Sequence, residues 1–179
     1  IAYIEAAQKI VDFDSDGAYT VEQQVLDNEI FKDVKQEVIG VCKRLSESYC
    51  HVVDGLRICN SWGTVIGFGQ SIRNHRHNNS YLSGSFYLTG GASFIITNFG
   101  SQDLFGFMPR VDGGNYRSWD SFSIRPKPGG IVVFPSGLFH SVVPSKDREK
   151  RYSVAFNVVP QGVIGTPTSL LDLGPFSRG

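Results

Sequence analysis

The chain has 179 residues, of which 41% are hydrophobic, 12% aromatic and 19% charged. That is enough apolar material for one packed core and too much for a disordered chain, and the length suits a single domain over residues 1–179 rather than two. Seventeen basic side chains balance seventeen acidic ones. No charge surplus exists to neutralise a nucleic-acid backbone or hold an anionic membrane surface, and no apolar run approaches the ~20 residues that span a bilayer.

Residues 1–50 read as an N-terminal helical part. A short helix is predicted over 2–11. Asp12-Phe-Asp-Ser-Asp-Gly17 opens like a calcium loop, but its twelfth position is Gln23 instead of Glu, so it reads as a solvated turn. From Val21 to Tyr49 the apolar positions Val25, Leu26, Ile30, Phe31, Val34, Val38, Val41, Cys42 and Leu45 recur three and four apart. This is the signature of an amphipathic helix, with a break at Gly40 allowed and Thr20 and Gln23 placed as a capping box. Cys42, Cys50 and Cys59 are odd in number and lack Cys-x-x-Cys spacing. They read as small buried hydrophobes in a reducing compartment.

Beyond His51 the pattern changes to β-favouring runs separated by Gly, Pro, Asn and Asp, at 56–61, 64–72, 82–89, 92–98, 120–126, 130–135, 139–143 and 151–159. Helices first and eight short strands after predict a mainly β fold, a sandwich, jelly roll or barrel over 51–179 with the helices on one side. Residues 99–119 form a long loop without periodicity. Its Phe105, Phe107, Met108, Tyr116 and Trp119 suit either a cover over a site or ordinary packing. Trp62 and Phe68 are expected in the core.

Three motifs carry candidate chemistry. In Asn74-His75-Arg-His77-Asn-Asn79, an extended backbone puts His75, His77 and Asn79 on one face. An Asn-rich basic loop is the plain alternative. A Gly-rich turn, an apolar strand, Pro135-Ser-Gly137 and a returning strand bring His140 back beside that pair in a jelly roll. Three neutral imidazoles suit Fe, Zn, Cu or Ni, and a facial set leaves positions open. In Arg151-Tyr-Ser153-Val-Ala155-Phe-Asn157, alternation projects Arg151 and Ser153 into the same mouth, where a guanidinium matches a carboxylate. The plain alternative for Arg151 is the end of the charged turn 146–150.

Together, His75-x-His77, the strand Ser83-Gly-Ser-Phe-Tyr87-Leu88, Phe134-Pro-Ser-Gly-Leu-Phe-His140-x-Val-x-Pro144 and Arg151-x-Ser153-x-Ala-Phe-Asn157 resemble the iron(II)- and 2-oxoglutarate-dependent oxygenases. The likeness covers residues 57–165 and extends to a small family of such proteins from bacteria and marine phages. It implies a double-stranded β-helix holding Fe(II), a 2-oxoglutarate cosubstrate and O2. By the same likeness, His140 is the distal ligand, Arg151 with Ser153 clamps the far carboxylate of 2-oxoglutarate, and the Tyr87 phenol assists. The implied activity is hydroxylase-type oxidation of an unidentified small molecule or peptide, with decarboxylation of 2-oxoglutarate to succinate.

One departure stands out. The superfamily has His-x-Asp or His-x-Glu where this chain has His75-x-His77 or, two residues on, His77-x-Asn79. His75, His77 and His140 are therefore the expected ligands, with Asn79 in reserve. A neutral third ligand leaves a more positive iron and weaker metal retention; in halogenating relatives, loss of the carboxylate opens a position for a halide. The same histidines nearly fit a cupin pattern whose Glu is missing, so a cupin-type dioxygenase or isomerase is an alternative, as is a non-catalytic jelly-roll module. A homodimer through exposed edge strands is compatible with the fold.

Overall fold

A computed structural model of the chain describes residues 1–11, 17–51, 53–97 and 121–174. In chain order the elements are α1 (Ala2–Ala6), β1 (Lys9–Val11), β2 (Ala18–Thr20), 3-10 turns at Val25–Asp27 and Glu29–Phe31, α2 (Lys32–Ser48), β3 (Gly55–Ile66), β4 (Ile72–His75), β5 (Leu82–Tyr87), β6 (Phe94–Thr97), β7 (Ser121–Ile124), β8 (Ile131–Pro135), β9 (Phe139–Val142), β10 (Arg151–Gln161), β11 (Val163–Ile164) and β12 (Leu171–Asp172). Among the described residues no helix is long and apolar enough to cross a membrane. The expected loop at 99–119 and the turn at 12–16 lie outside the described residues.

Two antiparallel sheets carry the fold. The larger runs β1-β2-β3-β10-β5-β8 and the smaller β4-β9-β6-β7, so from β3 to β10 the chain crosses between sheets at every step except the β6–β7 pair, in the order of a double-stranded β-helix. β10 is the axis of the larger sheet, pairing with β3 along its whole length and with β5 from Ser153 to Val158. Alternation along β10 separates two chemistries. Tyr152, Val154, Phe156 and Val158 join Val38 and Cys42 of α2 and Ile58, Val65 and Leu82 in one buried apolar cluster. A second cluster, Ala92, Phe94, Phe134 and Val142, closes the space between the sheets. Gly84 of β5 is required by close approach: a Cβ there would collide with the Val132 carbonyl oxygen and the Phe156 ring.

Several local expectations give way to tertiary bonds. The expected helix over 2–11 is only the five-residue α1, followed by a strand. The long helix begins at Lys32, not Val21, and runs through Gly40 without a break. Its intended capping residues serve the sheet. Thr20 Oγ1 accepts from the Gly63 N–H at 2.9 Å, and Ser61 takes the carbonyl of Gln23 and the N–H of Leu26. The backbone at 21–26 is thus committed elsewhere, and residues 25–31 tighten into 3-10 turns. The runs 56–61 and 64–72 are one twelve-residue strand, β3, followed by the separate β4. Gly63 sits inside β3 because Ile4 and Thr20 pack where its Cβ would be. Phe68 is a correction: it is 68% exposed at the turn after β3. Of the three thiols only Cys42 is buried, its pKa pushed up to about 12 by desolvation; Cys59 is half-buried and Cys50 exposed.

Candidate metal centre

The three histidines of the two motifs meet between the sheets. His75 ends β4 and is the register partner of His140 on β9, so the ladder itself sets the two rings side by side, 4.2 Å between centroids. His77 lies two residues beyond, with ring centroids 5.2 Å from His75 and 5.1 Å from His140. One ring nitrogen from each lies within 4.8 Å of the others. The fourth histidine, His51, bonds the Tyr81 hydroxyl at 2.7 Å and is not part of this cluster.

Hydrogen bonds fix the tautomers. His75 Nδ1 faces the Arg73 carbonyl at 2.9 Å and His140 Nδ1 faces the Leu138 carbonyl at 3.0 Å. A carbonyl only accepts, so each Nδ1 carries a proton and Nε2 is the nitrogen left to face a metal, the arrangement by which outer partners orient imidazole ligands. Burial lowers the His140 pKa to about 3, further depressed by His75 and His77 and partly opposed by the Leu138 bond. His77 falls to about 4 through burial and the neighbouring His75. Both rings are neutral at pH 7, the state a metal requires. Three converging imidazole nitrogens fit a first-row divalent ion such as Fe(II).

The same cavity, of about 620 Å3, reaches from these histidines to Arg151 and Ser153. Arg151 is 3% exposed, donates through Nη1 to the Ala92 carbonyl at 3.0 Å, and leaves its buried Nε without a partner. No ion pair to Arg151 occurs among the described residues, and burial lowers its pKa. A buried guanidinium in this state is expensive unless something anionic answers it. Ser153 is buried beside it on the same strand face. The Tyr87 ring lies 5.5 Å from the Arg151 guanidinium carbon, but Tyr87 is buried and does not line the cavity. Asn79 is exposed and also off the lining. Trp62, expected in the core, instead lines the cavity half-buried, its ring 6.0 Å from that of His77. Its alternation with Asn60 and Thr64, which also face the cavity, was the signal for that placement.

Comparisons with known proteins agree with this geometry. A search of curated proteins returned no match. Among solved structures, the α-ketoglutarate-dependent non-heme epimerase SnoN of nogalamycin biosynthesis superposes with a TM-score of 0.64 at 12% identity, covering 97% of this chain and 79% of that one. A prolyl-4-hydroxylase of Pseudomonas putida gives 0.55 at 13%, covering 84% and 76%. HygX of Streptomyces hygroscopicus, solved with nickel, 2-oxoglutarate and hygromycin B, gives 0.55 at 14%, covering 87% and 74%. At these identities the structures speak for the shared fold. The family model described as "Putative 2OG-Fe(II) oxygenase" matches residues 60–157, more than half of the sequence and a span that includes His75, His77, His140 and Arg151. With that match and a three-histidine cavity holding a buried guanidinium, the chain belongs to the 2OG-Fe(II) oxygenase family, a family of oxidoreductases.

Proposed function

We propose that the protein is an Fe(II)- and 2-oxoglutarate-dependent oxygenase performing hydroxylase-type oxidation of a small-molecule or peptide substrate. His75 and His140 hold the metal through Nε2 and His77 through a ring nitrogen, and Arg151 with Ser153 receives the far carboxylate of 2-oxoglutarate. The observation that carries the reading is the convergence of three imidazoles and one buried, incompletely bonded guanidinium in a single cavity. His75 takes the third position in preference to Asn79 because its ring already abuts His140 across the ladder.

Bound there, iron and 2-oxoglutarate supply the oxidising chemistry, with the cosubstrate losing CO2 to become succinate. The chain supplies geometry. The Arg73 and Leu138 carbonyls hold two imidazoles in one tautomer. Arg151 fixes one end of the cosubstrate, its guanidinium backed by the Tyr87 ring. Phe94 and Phe134 pack against His140 at 5.6 and 4.7 Å and exclude water from that side. Free thiols suit a reducing, cytoplasmic setting.

Anaerobic addition of Fe(II) and 2-oxoglutarate tests the reading. A weak visible charge-transfer band, absent with either alone, is the expected result. The replacement of the usual carboxylate by a third histidine favours a second reading, a cupin-type metal enzyme without 2-oxoglutarate, and metal binding with no such band would select it.

A further inference from the structure

The three ligands are not held alike. His75 and His140 are direct register partners across β4 and β9, just past a register shift after Ile72, whereas His77 lies in the stretch between β4 and β5 that belongs to no strand. What fastens that stretch is Ser136, fully buried in the turn between β8 and β9. Its carbonyl accepts from the His77 N–H at 3.0 Å and its own N–H donates to the Tyr81 carbonyl at 3.1 Å. Its hydroxyl accepts from Ser80 Oγ at 2.9 Å. The same stretch is also held by the Tyr81 N–H, which donates to the Val158 carbonyl at 2.9 Å, by Arg76 over the Phe139 ring at 5.0 Å, and by the Trp62 ring 6.0 Å from that of His77.

The hydroxyl of Ser136 is itself directed. Ser83 donates its single proton to Asn157 Oδ1 at 2.7 Å, so in the 2.7 Å contact between Ser83 and Ser136 it is Ser136 that donates. Asn157 in turn donates to Asn60 Oδ1 at 2.9 Å. The bonds therefore run one way, from Ser80 through Ser136 and Ser83 to Asn157 and Asn60, across β8, β5, β10 and β3. The Ser136 and Ser83 hydroxyls each both accept and donate, which stiffens the relay.

We propose that Ser136, anchored by Ser83 and Asn157, is the positioning residue for the His77 imidazole, and that this buried hydroxyl relay sets how tightly the metal is held. The inference rests on the assignment of His77 as a ligand but not on the cosubstrate. Co(II) titration, followed by its ligand-field spectrum and by calorimetry, tests it without 2-oxoglutarate or turnover. Ser136→Ala is expected to weaken Co(II) binding about tenfold or more, the range seen when outer partners of ligands are lost, and to shift the ligand-field bands. Parental affinity with an unchanged spectrum in a folded Ser136→Ala protein overturns the proposal, whatever its melting temperature. Should Ser136→Ala not fold, Ser80→Ala removes only the outermost link. A severalfold loss with a shifted spectrum then supports the proposal, and parental behaviour overturns it. His77→Ala binding Co(II) as tightly as the parent also overturns it, whereas a missing charge-transfer band with 2-oxoglutarate would strike only the functional reading above.

Discussion

The two faces of β10 are buried to much the same degree and could hardly differ more in content. Outward, Tyr152, Val154, Phe156 and Val158 pack into the apolar cluster under α2. Inward, Arg151, Ser153 and Asn157 are equally shielded but polar, and they line the cavity. Burial on the outer face stabilises the fold, roughly 1.5–3 kcal/mol for each large side chain. Burial on the inner face does not. An incompletely bonded guanidinium is a structural burden that a hydrophobic residue of similar volume would relieve, so the inner face is shaped for what it binds. Burial alone does not tell core from site; the polarity of what is buried does.

The comparison can be broken most forcefully from the outer face. Phe156→Ala should lower the unfolding free energy by about 3–5 kcal/mol, read by urea denaturation, while a folded fraction retains its metal stoichiometry. Arg151→Met should do the opposite. It should weaken 2-oxoglutarate binding by about 2–5 kcal/mol in calorimetry, with stability unchanged or raised; equal loss of stability in the two variants would dissolve the distinction.

Acid sharpens the comparison, because two of the histidines facing the cavity have strongly lowered pKa values. His140 and His77 have folded pKa values of about 3 and about 4, below the ordinary 6.5, chiefly through burial. Below pH 6.5 the unfolded chain therefore binds more protons than the folded one. Stability of the metal-free protein should be fully present above that pH and decline as pH falls toward 4, by up to about 1.4 kcal/mol per pH unit for each group. Thermal melts from pH 7.5 to 4.5 check this, and a flat profile would contradict the burial of these rings. Ni(II) should raise the melting temperature at pH 7 and do so less at pH 5, since protons compete for the same nitrogens. Smallest of all, Phe68→Ser at the exposed turn should alter stability by no more than about 0.5 kcal/mol.

Much of the inner face was legible in the sequence. Period-two alternation put Arg151, Ser153 and Asn157 on one face, and the Gly-rich turn with its returning strand brought His140 to His75. What local pattern did not show is where backbone groups find partners far along the chain. The spacing of Val25, Leu26 and Ile30 suits a helix as well as a 3-10 turn, and only the bonds from Ser61 decide between them. Gly63 reads as a breaker until Ile4 and Thr20 are seen to fill the space its missing Cβ leaves. Trp62 reads as core by type, yet its neighbours Asn60 and Thr64 face the cavity with it. The hydroxyl relay left no sequence signal, because serines at 80, 83 and 136 become meaningful only once three strands have met.

The pairing of His75 with His140 across a ladder also bears on how the protein matures. Slipping β4 by a single residue against β9 would turn His75 to the opposite side of the sheet. These positions lie far apart in sequence, so their meeting belongs to the late, slow closure of non-local strands. A divalent ion would thus find its pair of nitrogens only on correctly zipped chains, acting as an assay of alignment that rewards the proper arrangement and ignores its near misses.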